Sequence, residues 1–207
     1  MNGRTMTKGL AVADSLAVAA VSLMYVAFEA LHVAKRWSFL TVGIAVAIYA
    51  AILIRRRTDS WADLGFRVDN LRSALIPFGG VTLVLSICLI AWAAATGQTR
   101  WSREMFLLLA LYPVWALIQQ AVFQGLLHRR LMLVIGSPSV QILAVASAFA
   151  MVHVGNARLV CLTFLAGTIW SLLYRRWPNL WLLAASHTIL AALAYPLVLG
   201  DQPLSRL

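Results

Sequence analysis

Five polar side chains interrupt apolar runs in the C-terminal half of this chain: Gln119, Gln120 and Gln124 in one run, His153 near the end of the next, and His187 in the last. A polar group in hydrocarbon is costly, so each is a site candidate, best placed facing an interior cavity. Gln120 and Gln124 are four apart, on one helical face and within reach of a mutual hydrogen bond, while Gln119 points about 100° away. That run can therefore address two neighbouring helices. A neutral imidazole is a competent base near pH 7. An amide donates and accepts hydrogen bonds but takes no proton from water. These residues can thus serve a hydrolytic site based on histidine, or simply bond helices together at about 0.6 to 2 kcal/mol per bond.

Order and spacing narrow the choice. Gln119-Gln120-Ala121-Val122-Phe123-Gln124-Gly125, then Phe149-Ala150-Met151-Val152-His153, then His187-Thr188-Ile189-Leu190-Ala191 resemble the three motifs of the CAAX-processing and bacteriocin-processing (CPBP) protease family. That family carries Glu-Glu-x-x-x-Arg, Phe-x-x-x-His and His-x-x-x-Asn or Asp. The similarity covers about residues 105–199, and Trp61-Ala62-Asp63-Leu64-Gly65-Phe66 and Gly125-Leu126-Leu127-His128-Arg129-Arg130-Leu131 add to it. It implies an all-α intramembrane endopeptidase fold acting on prenylated or membrane-associated peptides. By the same resemblance Gln119 stands where a glutamate activates water, and Gln120 and Gln124 stand where a second glutamate pairs with its arginine. His153 and His187 match the histidines that orient the water or steady the oxyanion, and Ala191 replaces the last Asn or Asp.

The departures are chemical. No Asp or Glu lies between Glu104 and Asp201, so no carboxylate within the matched core substitutes for the missing base. General-base catalysis contributes on the order of 10² to 10⁴ in rate, and cleavage is expected to be impaired or lost unless His153 or His187 acts as base. A buried ion pair at positions 120 and 124 has given way to two amides, which spares the desolvation of two charges. This is the pattern of a settled natural variant. The rival readings are a pseudoprotease that holds a hydrophobic or lipidated peptide or a partner transmembrane helix, and a small transporter. A transporter is expected to show repeat symmetry and broken helices in both halves, and neither is visible. The family has been described as metalloproteases, but His153 and His187 without a carboxylate make a weak zinc site, so no cofactor is expected.

The elements that must position these groups are membrane helices. Of the 207 residues 62% are hydrophobic and 12% charged, with mean hydropathy +0.84, where a soluble domain is about half apolar and one quarter charged. Apolar runs at 10–33, 38–54, 74–96, 105–127, 139–155, 158–174 and 179–199 predict an all-α bundle of about seven transmembrane helices. Residues 1–100 are read as N-terminal spans with an amphipathic connector at about 56–73, and 101–200 as the protease-like core, within one integral membrane domain. Arg4, Lys8, Arg55 to Arg57, Arg67, Arg72, Arg129, Arg130, Arg175 and Arg176 make 11 of the 17 basic residues. All fall on one side if the N-terminus is cytoplasmic, as the positive-inside rule favours for a bacterial inner membrane. Scattered between spans, they argue for a bilayer partner and against nucleic acid.

Four smaller features complete the reading. The connector interleaves Trp61, Leu64, Phe66, Val68 and Leu71 with Arg67, Asp69 and Arg72, as in a segment lying in the headgroup plane. Glu29 and His32, three apart on the first span, can point inward together or meet headgroup water and the cations Lys35 and Arg36. Pro113 is expected to kink the fourth span one turn before the glutamines, and His128 is expected at the interface. Cys88 and Cys161, in different apolar runs, read as small hydrophobes and not as a disulfide.

Overall fold

The computed structural model describes residues 6–56, 58–98 and 103–201, with the side chain of Lys35 left aside. The apolar runs form helices α1 (Lys8–Ala30), α2 (Lys35–Arg56), α3 (Leu71–Ala95), α4 (Arg103–Gln120), α5 (Arg129–Val134), α6 (Pro138–Met151), α7 (Ala157–Arg176) and α8 (Leu180–Ala194). A π-helix, Ala121–His128, joins α4 to α5, and another, Tyr195–Leu199, ends α8. The chain is an all-α integral membrane protein: among the described residues, six helical stretches are long and apolar enough to cross a bilayer.

Two boundaries differ from the expectation. The run at 139–155 becomes α6, only 14 residues long; at 1.5 Å per residue it spans about 21 Å, short of a core about 30 Å thick. It lies against α7 and completes the seven. The run at 105–127 continues through the π-helix to Val134 as one 32-residue stretch, so His128 lies inside the bundle and not at its interface. His128 and Arg130 are both fully buried.

Local chemistry fixes the helix starts. Thr7, Asn156 and Asn179 accept the backbone N–H three residues on, at 3.3, 3.1 and 3.0 Å, caps that contribute about 1 kcal/mol each. Pro113 lies inside α4 without ending it. α8 is the most buried of the spans and packs chiefly on α4 and α3. The core around it is built from Phe78, Phe123, Phe149, Trp170, Leu180 and Leu183.

The connector between α2 and α3 is not helical. Residues 58–70 run in turns and are tied to the bundle through their backbone: Tyr174 Oη donates to the Leu64 carbonyl (2.7 Å), Leu180 N–H to that of Gly65 (2.8 Å) and Asn179 Nδ2 to that of Arg67 (2.9 Å). Beneath it, Arg130 reaches Asp14 of α1 (2.8 Å) and Asp59 (2.6 Å), Arg129 reaches Asp59 (2.8 Å), and Arg56 reaches Asp14 (2.8 Å). Burial raises the cost of the Asp59 carboxylate, but the Arg130 and Arg129 hydrogen bonds outweigh it and hold the carboxyl below its usual value. This charge cluster closes one end of the bundle, where Arg56 at the end of α2 meets Arg129 and Arg130 after the first π-helix.

Candidate functional site

α4 and α8 set the first contact. Gln120, 1% exposed, donates from Nε2 to Nδ1 of His187 at 3.1 Å. With Nδ1 accepting, the neutral imidazole carries its proton on Nε2, which lies 3.5 Å from the hydroxyl of Tyr112. Tyr112 in turn donates to Oε1 of Gln119, also at 3.5 Å. A polar relay therefore runs Gln120, His187, Tyr112, Gln119 across two helices.

α6 supplies the second histidine through its C-terminal turn. His153 Nδ1–H donates to the Phe149 carbonyl at 2.8 Å, which places the lone pair of the neutral ring on Nε2. The Phe149 ring stands between the two imidazoles, 5.2 Å from His153 and 5.5 Å from His187, edge to face with each. Trp170 covers His187 from the other side at 4.9 Å. Aromatic packing of this kind fixes ring orientation as firmly as a hydrogen bond does.

Two cavities meet here. A chamber of about 640 Å³ is lined by Tyr25, Glu29, Tyr112, Trp115, Gln119 and His153, among others. An apolar cavity of about 700 Å³ lies between α3, α7 and α8, lined by Leu85, Cys88, Trp92, Cys161, His187 and Ala191, among others. Tyr112, His153, Leu159 and Tyr195 line both. The chamber is built from Tyr25 and Glu29 at the C-terminal end of α1, Phe39 near the start of α2, Leu108 to Gln119 of α4, residues 152–156, Leu159, Tyr195 and residues 199–201. On α1 and α2 it lies toward the ends away from the arginine cluster.

Not every expected residue joins this group. Gln119, Gln120, His153 and His187 are brought together, but Gln124 is not, and it makes no bond to Gln120. Its Nε2 donates to Ser171 Oγ (2.7 Å) and its Oε1 accepts from His128 Nδ1 (2.8 Å). The reason is the π-helix starting at Ala121: its wider turn rotates position 124 off the face that four-residue spacing assigns in an α-helix. Ala191 lines the apolar cavity and offers no polar atom. Glu29 and His32 part company: Glu29 lines the chamber, while His32, at φ 55°, is exposed in the turn that follows α1.

Spacing alone missed three groups. Tyr112, the link between His187 and Gln119, reads in sequence as one more aromatic in an apolar run. Asp14 and Arg130 pair across 116 residues, so no local pattern announces them, although a lone Asp in the first span carried the signal.

Chemically, amide and imidazole groups arranged in this way are able to donate hydrogen bonds to an oxyanion and to hold a neutral imidazole beside it. Gln119 and Gln120 offer amides where a metal or a water to be activated would need a carboxylate. Among the described residues, no three His, Cys, Asp or Glu side chains gather to ligate a metal, so the zinc suggested by descriptions of the CPBP family has no fitting donor set here.

Comparison with known proteins agrees with the motif order. No curated protein and no solved structure matches the chain. Residues 99–193 match the family model described as type II CAAX prenyl endopeptidase Rce1-like, which spans α4 with its glutamines, α6 and α7, and α8 through His187. Over residues 99–193 the chain is thus similar to the Rce1-like family of CAAX prenyl endopeptidases.

Proposed function

We propose that this protein receives a lipidated, membrane-tethered peptide, with the peptide in the polar chamber and its lipid in the apolar cavity, and that the glutamate route of its family to hydrolysis is lost. The observation that supports this is the meeting of the two cavities at Tyr112 and His153, one helix contact from His187. Gln119 and Gln120 occupy the positions of the missing glutamates. Both amides are engaged in hydrogen bonds within the bundle, so the site is held together as a neutral version of the family arrangement. Catalytic work is assigned to His153 and His187, with Gln119, Gln120 and Tyr112 positioning and donating. The protein sits in a bacterial inner membrane with its N-terminus in the cytoplasm. On that orientation the arginine cluster faces inward and the chamber opens outward.

The test uses the full chain in liposomes and a farnesylated peptide carrying a photo-crosslinker. Crosslinks to α4 and to the 152–156 segment, together with protection of Cys88 and Cys161 from maleimide, are the expected result. Their absence overturns the reading. In parallel, Gln119→Glu, Gln120→Glu, Gln124→Arg is expected to cleave the peptide on the order of 10² to 10⁴ faster than the natural chain. A natural chain as fast as this revertant refutes the loss of the glutamate route.

A further inference from the structure

α4 has lost its carboxylates, yet the chamber has not. Glu29 lines the same cavity as Gln119 and His153, although it comes from α1, 90 residues before the first motif. Its side chain is half-buried and in hydrogen-bond contact with Tyr25. Tyr25 also lines the chamber and stacks near Phe39 of α2, whose ring packs on Trp115 of α4 at 4.6 Å. Tyr25 and Tyr195 are both close enough to Tyr112 to act on it electrostatically. Glu29 is thereby held by a layer of aromatic side chains that ends at the Tyr112 relay. Glu29 lies one residue before the end of α1, where a carboxylate meets the space of the chamber it lines, and an ionisable group in a spanning helix marks a candidate site.

We propose that Glu29 is the acid–base residue of this chamber, a carboxylate supplied from α1 in place of those absent from α4. The inference rests on the reading that the chamber receives a peptide. In the step it performs, the Glu29 carboxylate takes one proton from a water molecule while the water oxygen bonds to the scissile carbonyl carbon. The carbonyl π electrons move to oxygen, and that oxyanion is met by the Nε2 amide donor of Gln119, whose Oε1 is held by Tyr112. Collapse re-forms the carbonyl and breaks the C–N bond, and the departing nitrogen takes the proton back from Glu29. One peptide and one water become one carboxylic acid and one amine, so no further reactant is needed. His153 Nε2 faces the same space and orients the water.

The experiment measures binding and hydrolysis separately, with the full chain in liposomes and an internally quenched farnesylated peptide. The natural chain is expected to hydrolyse it slowly, and Glu29→Gln to lower kcat by on the order of 10² or more with KM within about twofold, since only transition-state stabilisation is lost. Glu29→Asp is expected to recover part of the rate. His32→Ala, on the exposed turn, is expected to change nothing. Joining Glu29→Gln to Gln119→Glu moves the carboxylate back to α4 and is expected to restore cleavage, which a purely structural role for Glu29 would not produce. A natural chain that binds the peptide without cleaving it overturns this inference and leaves the binding reading intact. Hydrolysis unaffected by Glu29→Gln also overturns it. A natural chain that does not bind at all overturns the binding reading, and this inference with it.

Discussion

The amide of Gln120 and the imidazole of His187 face each other across the α4–α8 contact, Nε2 to Nδ1, at 3.1 Å. The direction of that bond decides which ring nitrogen carries the proton. An amide donates to Nδ1 and leaves the proton on Nε2, facing Tyr112. A carboxylate at the same place accepts, and draws the proton to Nδ1. Gln120→Glu is therefore expected to exchange the His187 tautomer, with ¹⁵N shifts of the ring nitrogens as the measure. An unchanged tautomer would mean that Tyr112, and not position 120, sets the ring. Glutamine at position 120 thus sets the polarity of the imidazole as well as leaving the position uncharged.

Asp14, Asp59 and Arg130 form a second buried system, with Arg130 at 0% exposure and the two carboxylates at 1% and 3%. Arg130→Met takes the fully buried partner from two carboxylates and leaves them only the part-exposed Arg129 and Arg56, and breaking a buried pair by removing one partner costs about 3 to 5 kcal/mol. Asp14→Asn keeps hydrogen-bonding capacity and leaves Asp59 on the arginine, so its cost should be the smaller. Thermal unfolding in detergent is expected to rank Arg130→Met well below Asp14→Asn. Adding Asp14→Asn to Arg130→Met should cost less than it does alone, because the stranded charge is relieved.

The same cluster has a pH signature. The Asp59 carboxyl is held below its usual value because the Arg130 and Arg129 hydrogen bonds outweigh the burial that opposes them. A depressed folded-state pKa means that the unfolded chain binds the proton first. The contribution of Asp59 is therefore complete above the unfolded value of about 4, and fades as pH falls through it toward the lower folded value. Melting temperature in detergent is expected to drop between about pH 5 and pH 3, and Asp59→Asn to flatten that drop. A slope that survives the substitution would assign it to other carboxylates.

Much of this arrangement was legible because membrane helices make polar residues conspicuous. Gln119, Gln120, His153 and His187 stand out against apolar neighbours, and three short motifs in order placed them on helices that do converge. Gln124 was misjudged because its partnership with Gln120 assumed a constant 3.6-residue period, and no residue between Ala121 and His128 signals the change to a π-helix. The attachment of the connector was hidden for another reason. Its ties use the carbonyls of Leu64, Gly65 and Arg67, groups that every residue type carries, so its side-chain pattern described the exposed face and concealed the attached one. α6 is shorter than the apolar run that predicts it, since hydropathy measures apolar length and does not show where Val152 to Asn156 leave the helix.

Gly65 is where that attachment is most exposed to test. Its φ of 93° lies in the region that side-chain-bearing residues avoid, and a Cβ there would collide with the hydroxyl of Tyr174, the group that donates to the Leu64 carbonyl. Gly65→Ala therefore strains the turn and pushes away the donor that holds it, two effects at one bond. Gly125 sits across the same contact: a Cβ on it would come within 2.7 Å of the Leu64 carbonyl oxygen, so the π-helix approaches the connector closely only because position 125 lacks a side chain. Either substitution is expected to destabilise the fold by about 1 to 3 kcal/mol and to open the 58–66 segment to protease in liposomes. Tyr174→Phe separates the causes. It deletes the donor and leaves Gly65 unstrained, so it should free the segment less than Gly65→Ala does. Equal protease sensitivity in the two variants would assign the docking of the connector to the Tyr174 hydrogen bond alone.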